Sequence, residues 1–272
     1  MTTDETNPPV SQIAKAVERI LAEGAIAALI TLVEASANIG AKLLVEETGA
    51  TTGSLDDENL DRAVAEFAKR FLDSSDEAHT FRIAEFAPQL TAWAEVKILC
   101  ERIEPEPRLV VCGAGHVGAS LAHLASFIGY RTTLIDDRAE FVARERFPDE
   151  RISLVAAASW TAAVREAIGN GRGVSVAVVT RGHNEDEECM QAIITTKADY
   201  IGLIGSKRRT NIVLDRLRQA GANEGRLKRV HAPIGLDIGA VTPEEVALAI
   251  LAEIVAQRRA GKGGSLSAWR RK

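Results

Sequence analysis

The chain has 272 residues, enough for one large or two modest domains with a substantial core. Its 33 Lys and Arg against 38 Asp and Glu give a formal net charge of −5, which argues against a general nucleic-acid or membrane-surface role. Cys100, Cys112 and Cys189 make neither a metal-spaced cluster nor a disulfide framework, and no apolar run reaches transmembrane length.

The start, residues 1–7, lacks the basic region and apolar run of a secretory leader, so a soluble cytoplasmic protein in a reducing compartment is expected. Ser11 reads as the cap of a short helix with Ile13, Val17, Ile20 and Leu21 on its apolar side. Residues 27–33 and 41–46 read as strands, the second followed by a turn at Thr48 and Gly49. Residues 53–56 read as another turn. Leu60, Val64, Phe67 and Phe71 then recur at helical spacing and predict one buried stripe. Residues 81–83 and 96–103 complete a small mixed α+β domain over 11–103.

Two prolines, Pro105 and Pro107, mark the boundary to a second domain over 108–259. Its rhythm is strand, helix, strand, with strands at 109–112, 131–136, 152–155, 174–180 and 200–204. The helix after the first strand is expected to turn Val117, Leu121, Leu124 and Ile128 inward. Thr242, Pro243 and Glu245 predict a capped helix start, with Val246, Ile250 and Ile254 along its buried face. The fold class is therefore α/β: a C-terminal Rossmann-like open parallel sheet preceded by the smaller α+β domain. Residues 260–272, rich in glycine and base, are expected to be a flexible tail.

The first strand of the second domain runs into Gly113, Gly115 and Gly118, and the next strand ends on Asp136. Gly113 permits a tight turn, Gly115 admits a pyrophosphate, and Gly118 lets helix and sheet close up. Asp136 is spaced to accept from a ribose 2′-hydroxyl, and Arg138 leaves room for a 2′-phosphate. A purely structural turn is the competing reading of the glycines. His116 suits either a phosphate oxygen or the capping of a local carbonyl. Arg181 offers an anion contact. His183 with Asp186 suits acid–base work or a polar ligand, or simply a loop locked by its own hydrogen bonds. Ser206, Lys207, Arg208 and Arg209 suggest a second anion cradle at a helix start. Asp237, between Gly235 and Gly239, either contacts ligand hydroxyls or stabilises a turn. Cys112 and Cys100 read as packed residues, and the acids around Cys189 oppose a thiolate there. No residue set predicts a metal site.

Residues 111–118, 136–138, 180–183, 200–209 and 232–239, followed by Thr242–Glu245 and 249–254, together resemble the XdhC/CoxI family. The resemblance covers about Gly24 to Arg258. It implies a non-catalytic accessory protein for molybdenum hydroxylases such as xanthine dehydrogenase and carbon monoxide dehydrogenase. Such a protein binds the molybdopterin-type molybdenum cofactor, also in its dinucleotide form, and assists its maturation and insertion. The implied partners are the large subunit of the hydroxylase and a cysteine desulfurase. A homodimer is expected, because a second copy could cover the cofactor and then open for delivery. Many family members carry a Ser-Gly-Gly-Cys-Val-Glu signature in the N-terminal domain, whereas residues 35–45 and 53–57 here lack cysteine. Two alternatives remain from the residues themselves. One is an NAD(H)-dependent oxidoreductase built on the glycine loop, Asp136 and His183. The other is a nucleotide-responsive regulatory or scaffold protein.

Overall fold

A computed structural model describes residues 8–74, 76–169 and 171–267. Residues 1–7 and, within the tail expected over 260–272, residues 268–272 lie outside the described residues. The chain divides into two compact units, Met1–Pro105 and Glu106–Lys272.

The first unit holds α1 (Pro8–Glu23), β1 (Ala27–Glu34), β2 (Lys42–Glu46), β3 (Thr51–Ser54), α2 (Glu58–Asp73), β4 (Ala78–Arg82) and β5 (Lys97–Ile103). Its strands form an antiparallel sheet in the order β3-β2-β1-β5-β4. Alternation along the strands splits the apolar residues between two faces. Ala28, Ile30, Leu32, Val45, Ile98 and Cys100 meet Leu60, Val64, Ala68 and Phe71 of α2. Ala27 and Leu44 share the second cluster with Ile13 and Ile20 of α1.

Four expectations need correction here. Ser11 lies inside α1, because prolines at 8 and 9 are tolerated in a first turn and start the helix earlier. Leu21 is exposed on the flank of that helix. Gly53 and Ser54 belong to β3, pairing with Leu43 and Lys42, so the bend comes only at Leu55 and Asp56. A side chain at Gly53 would strike the Lys42 carbonyl oxygen at 2.4 Å, which is why this strand carries glycine. The strand expected at 81–83 spans Ala78–Arg82 and gives way to a 3₁₀ turn at Ile83.

The second unit alternates β6 (Arg108–Cys112), α3 (His116–Phe127), β7 (Arg131–Asp136), β8 (Ile152–Ala156), α4 (Trp160–Ile168), β9 (Val174–Val178), α5 (His183–Ile193), β10 (Tyr200–Leu203), α6 (Lys207–Gln219), α7 (Glu224–Leu227) and α8 (Pro243–Arg258). All five strands are parallel, in the order β10-β9-β6-β7-β8. Val110, Cys112, Val174, Val176 and Val178 face α4, α5 and α6. Leu109, Val111 and Ala177 face α3 and α8. Burial on both faces explains the unbroken apolar character of β6 and β9. Thr242 caps α8 in a reciprocal box with Glu245, as its sequence predicts.

Ile128 is a correction: it is 47% exposed, and the buried side of α3 is Gly118, Leu121, Ala122 and Ala125. Small residues on that face let the helix lie close to the sheet, while α8 packs alongside it. His231–Ile234 adds a short parallel rung beside β10, with His231 N donating to Ile201 O and Leu203 N donating to His231 O. Glu253 of α8 secures this segment by accepting from Tyr200 Oη at 2.5 Å and Gly235 N at 2.8 Å, with His231 Nδ1 at 3.2 Å. Burial opposes the charge on Glu253, but these partners outweigh it and hold its pKa below the usual value.

Candidate functional site

The chain leaves β6 for β7 and β8 on one side and returns to β9 and β10 on the other. The crevice beyond the carboxyl ends of β6 and β9 is therefore the topological switch point, where open α/β sheets hold ligands. Each glycine of the first loop has a separate steric role. Gly113 has φ +111°, and a Cβ there would meet the Val179 carbonyl oxygen at 2.6 Å. At Gly118 a Cβ would lie 1.8 Å from the Gly113 carbonyl oxygen. Gly115 has nothing within 4 Å of its Cβ position and an ordinary φ of −65°. The fold demands the first and the third; the space at the second is left open, at the amino end of α3.

Asp136 stands where the spacing places it, at the end of β7, but it does not point outward. It is 1% exposed. Oδ2 accepts from Ala114 N at 2.7 Å, and Oδ1 accepts from Arg138 N and Nε at 3.0 and 2.8 Å. The acid expected to read a ribose hydroxyl instead holds the glycine loop from within. Arg138 is equally committed: its guanidinium also lies 3.5 Å over the Phe141 ring, so it is no free partner for a 2′-phosphate.

The second half repeats the device. Asp186, in the first turn of α5, is fully buried. It accepts from Thr180 Oγ1 at 2.5 Å and from Arg209 Nε and NH2 at 3.0 and 2.5 Å. Burial pushes its pKa up, with the bonds from Thr180 and Arg209 pulling the other way. The His183–Asp186 pair expected from sequence is thus not formed, and His183 is exposed at the start of α5. Arg209 likewise leaves the expected anion cradle, because it serves Asp186. Ser206 Oγ caps α6 by accepting from Arg209 N at 3.2 Å.

What faces solvent around the crevice is a different set. Arg181, in the loop after β9, donates NH1 and NH2 to the two oxygens of Asp137 at 2.8 and 2.9 Å. That bidentate pair holds the Asp137 carboxyl down at about 2. Neither Asp137 nor its pairing is legible in the sequence. Among the described residues His116, His183, Lys207, Arg208 and Asp237 are exposed and make no side-chain hydrogen bond. The loops of Gly113–His116 and Thr180–His183 adjoin at Gly113 and Val179, and the Asp186–Arg209 pair ties the second to Ser206–Arg208. Asp237 is exposed next to Leu236, whose N–H donates to Ala249 O of α8.

All three thiols are fully buried. Burial alone pushes the Cys100 thiol up to about 12, and Cys189 is raised further by its contact with Cys112 and by burial. Among the described residues no cluster of three His, Cys, Asp or Glu side chains could hold a metal ion.

The C-terminal fold and its glycine loop define a Rossmann-type domain, and comparison with known proteins places it more narrowly. Residues 109–254 match the family model described as the XdhC Rossmann domain, and residues 20–83 match that of the XdhC and CoxI family. The chain belongs to the XdhC/CoxI family. It is 37% identical over 158 residues to the uncharacterized protein YqeB of Escherichia coli, covering 58% of this chain and 28% of that one. It is 30% identical over 159 residues to a probable xanthine dehydrogenase subunit of Bacillus subtilis, covering 58% of this chain and 45% of that one. The chain thus spans less than half the length of these two relatives. A crystal structure described as a xanthine dehydrogenase from Bacillus halodurans shares the fold, with a TM-score of 0.67 at 20% identity over 93% of this chain and 68% of that one.

Proposed function

We propose that the protein carries a molybdopterin-type molybdenum cofactor as cargo and assists its insertion into a molybdenum hydroxylase. Family membership across both units carries this reading, and the name of the Bacillus subtilis relative points to a xanthine dehydrogenase system. The crevice suits an anionic cargo. The cofactor's phosphate would take the open space at Gly115, next to the unpaired amides of α3. Lys207 and Arg208 on the neighbouring loop offer uncommitted positive charge. The pterin would lie outward, toward His183.

The NAD(H) alternative keeps the glycine loop but loses two of its three supports in this geometry, since Asp136 is spent on Ala114 and Arg138, and Asp186 bonds Thr180 and Arg209 in place of His183. With every cysteine buried, sulfur exchange on the cargo would fall to a partner such as a cysteine desulfurase. Native protein should then react with a thiol reagent at none of its three cysteines, and at all three in guanidinium. One thiol titrating rapidly in the native state would return a sulfur-handling role to this chain.

Purification of the protein with its genomic neighbours, followed by oxidation and fluorescence assay of released pterin, tests carriage directly. Bound molybdopterin is the expected result. Its absence, also after incubation with excess cofactor, overturns the reading. A homodimer covering the cargo predicts a sedimenting species of twice the 29.2 kDa chain mass.

A further inference from the structure

The Arg181–Asp137 ion pair crosses the mouth of the crevice. Asp137 follows β7 and Arg181 follows β9, and β6 lies between those two strands. Neighbouring strands stand about 4.8 Å apart, so the pair spans about 10 Å across the path of the glycine loop. A second contact fixes its height. Arg181 NH1 lies 4.0 Å from Asp136 Oδ1, and the other oxygen of Asp136 binds Ala114 N at 2.7 Å. One carboxylate therefore separates the Arg181 guanidinium from the glycine-loop backbone.

The pair is open to solvent, with the Arg181 side chain 46% exposed and that of Asp137 31% exposed. A guanidinium fork that fits a carboxylate at both nitrogens fits a phosphate in the same way. We infer that Asp137 is an internal stand-in for the ligand's anion: a phosphate entering at Gly115 takes Arg181 from Asp137, and the broken pair opens the crevice. Arg181 is then the residue that binds the anionic group, and Asp137 is the competitor that sets its affinity. Arg138, stacked on Phe141 and bound to Asp136, stays in place during this exchange. With Asp136 turned inward, the ligand is selected by its phosphate and not by a ribose hydroxyl. The inference rests on the crevice being the cargo site, and it adds what a ligand must displace to enter.

The test is calorimetric titration of the full-length protein with inorganic pyrophosphate, ADP and 2′-deoxy-ADP. Asp137→Asn keeps the side-chain size and removes the charge that grips Arg181 at both nitrogens, leaving it only the longer contacts to Glu185 at 3.4 Å and Asp136 at 4.0 Å. It should bind all three probes about 3- to 10-fold more tightly, since a surface pair is broken and a nearby negative charge is gone. Arg181→Gln should bind them about 10-fold more weakly or worse. ADP and its 2′-deoxy form should bind alike. Circular dichroism and melting curves on both variants separate lost binding from unfolding. If Asp137→Asn binds ADP more weakly while pyrophosphate is unaffected, Asp137 reads the sugar and the inference falls. Unchanged affinities with a lowered melting temperature make the pair a fastener, which also overturns it. Failure of the native protein and both variants alike to bind pyrophosphate overturns it as well. None of these results touches the pterin assay, so the displaced pair and the cofactor cargo can fail separately.

Discussion

The two halves of the parallel sheet each hold a loop with a buried acid–arginine pair, and both differ from a third pair at the same edge that is open to solvent. In the first, Asp136 grips the Ala114 amide and Arg138; in the second, Asp186 grips the Thr180 hydroxyl and Arg209. Both carboxylates are buried, and both arginines are about a quarter exposed. Each pair holds a loop at the carboxyl edge, where no regular secondary structure can do so. The Arg181–Asp137 pair, a few ångströms away, is open to solvent. An acid at a strand end is therefore available to a ligand only when its oxygens face outward. Burial sorts the charges of this edge into scaffold and site.

The strongest way to break that division is to remove a scaffold arginine. Arg209→Met leaves Asp186 buried with only Thr180, and should cost about 3–5 kcal/mol in urea unfolding at neutral pH. Asp186 already has a raised pKa, so the sign of the pH effect follows. Above its unfolded value of 3.8 the unfolded state has lost the proton while the folded state tends to keep it, so its contribution falls as pH rises. The deficit of the variant should shrink as the medium is acidified. A deficit equal at pH 5 and pH 7.5 would mean that Arg209 does not govern the ionisation of Asp186 between those values.

Next in size is the contrast among the glycines. Gly118→Ala drives a methyl into the Gly113 carbonyl and should cost about 1–3 kcal/mol. Gly115→Val meets open space, should cost about 1 kcal/mol through a poorer helix cap, and should abolish pyrophosphate binding in a folded protein. Equal stability losses at the two positions would blur scaffold and site.

The smallest effect is expected at Asp137. Asp137→Asn should change stability at neutral pH by under about 1 kcal/mol, because the pair is solvent-screened. Asp137 has a lowered pKa of about 2 against 3.8, so what it adds is complete above pH 3.8 and lost as pH falls toward 2. The variant should lack that acid-side slope. A loss comparable to that of Arg209→Met would move Asp137 into the scaffold.

Much of this molecule is readable along the chain. Periodicity placed β1, β5, β7, β9 and α2, because period-2 and helical patterns are local consequences of a buried face. The glycine spacing located the loop, and the capping residues located the start of α8, since both are short-range backbone requirements. β3 escaped because Thr51–Ser54 is exposed edge sequence with a glycine, and pairing with β2 made it a strand. At the site, the sequence by itself determined which residues reach the carboxyl edge: the glycines, Asp136, Arg181, His183 and Ser206–Arg208. Only the tertiary structure decided their employment. Asp136 and Arg138 are two residues apart, but Asp186 and Arg209 are 23 apart and Asp137 and Arg181 are 44 apart. A carboxylate's orientation depends on which donor lies nearest and on how much water it has lost, and both are set by strands that meet only in the folded sheet.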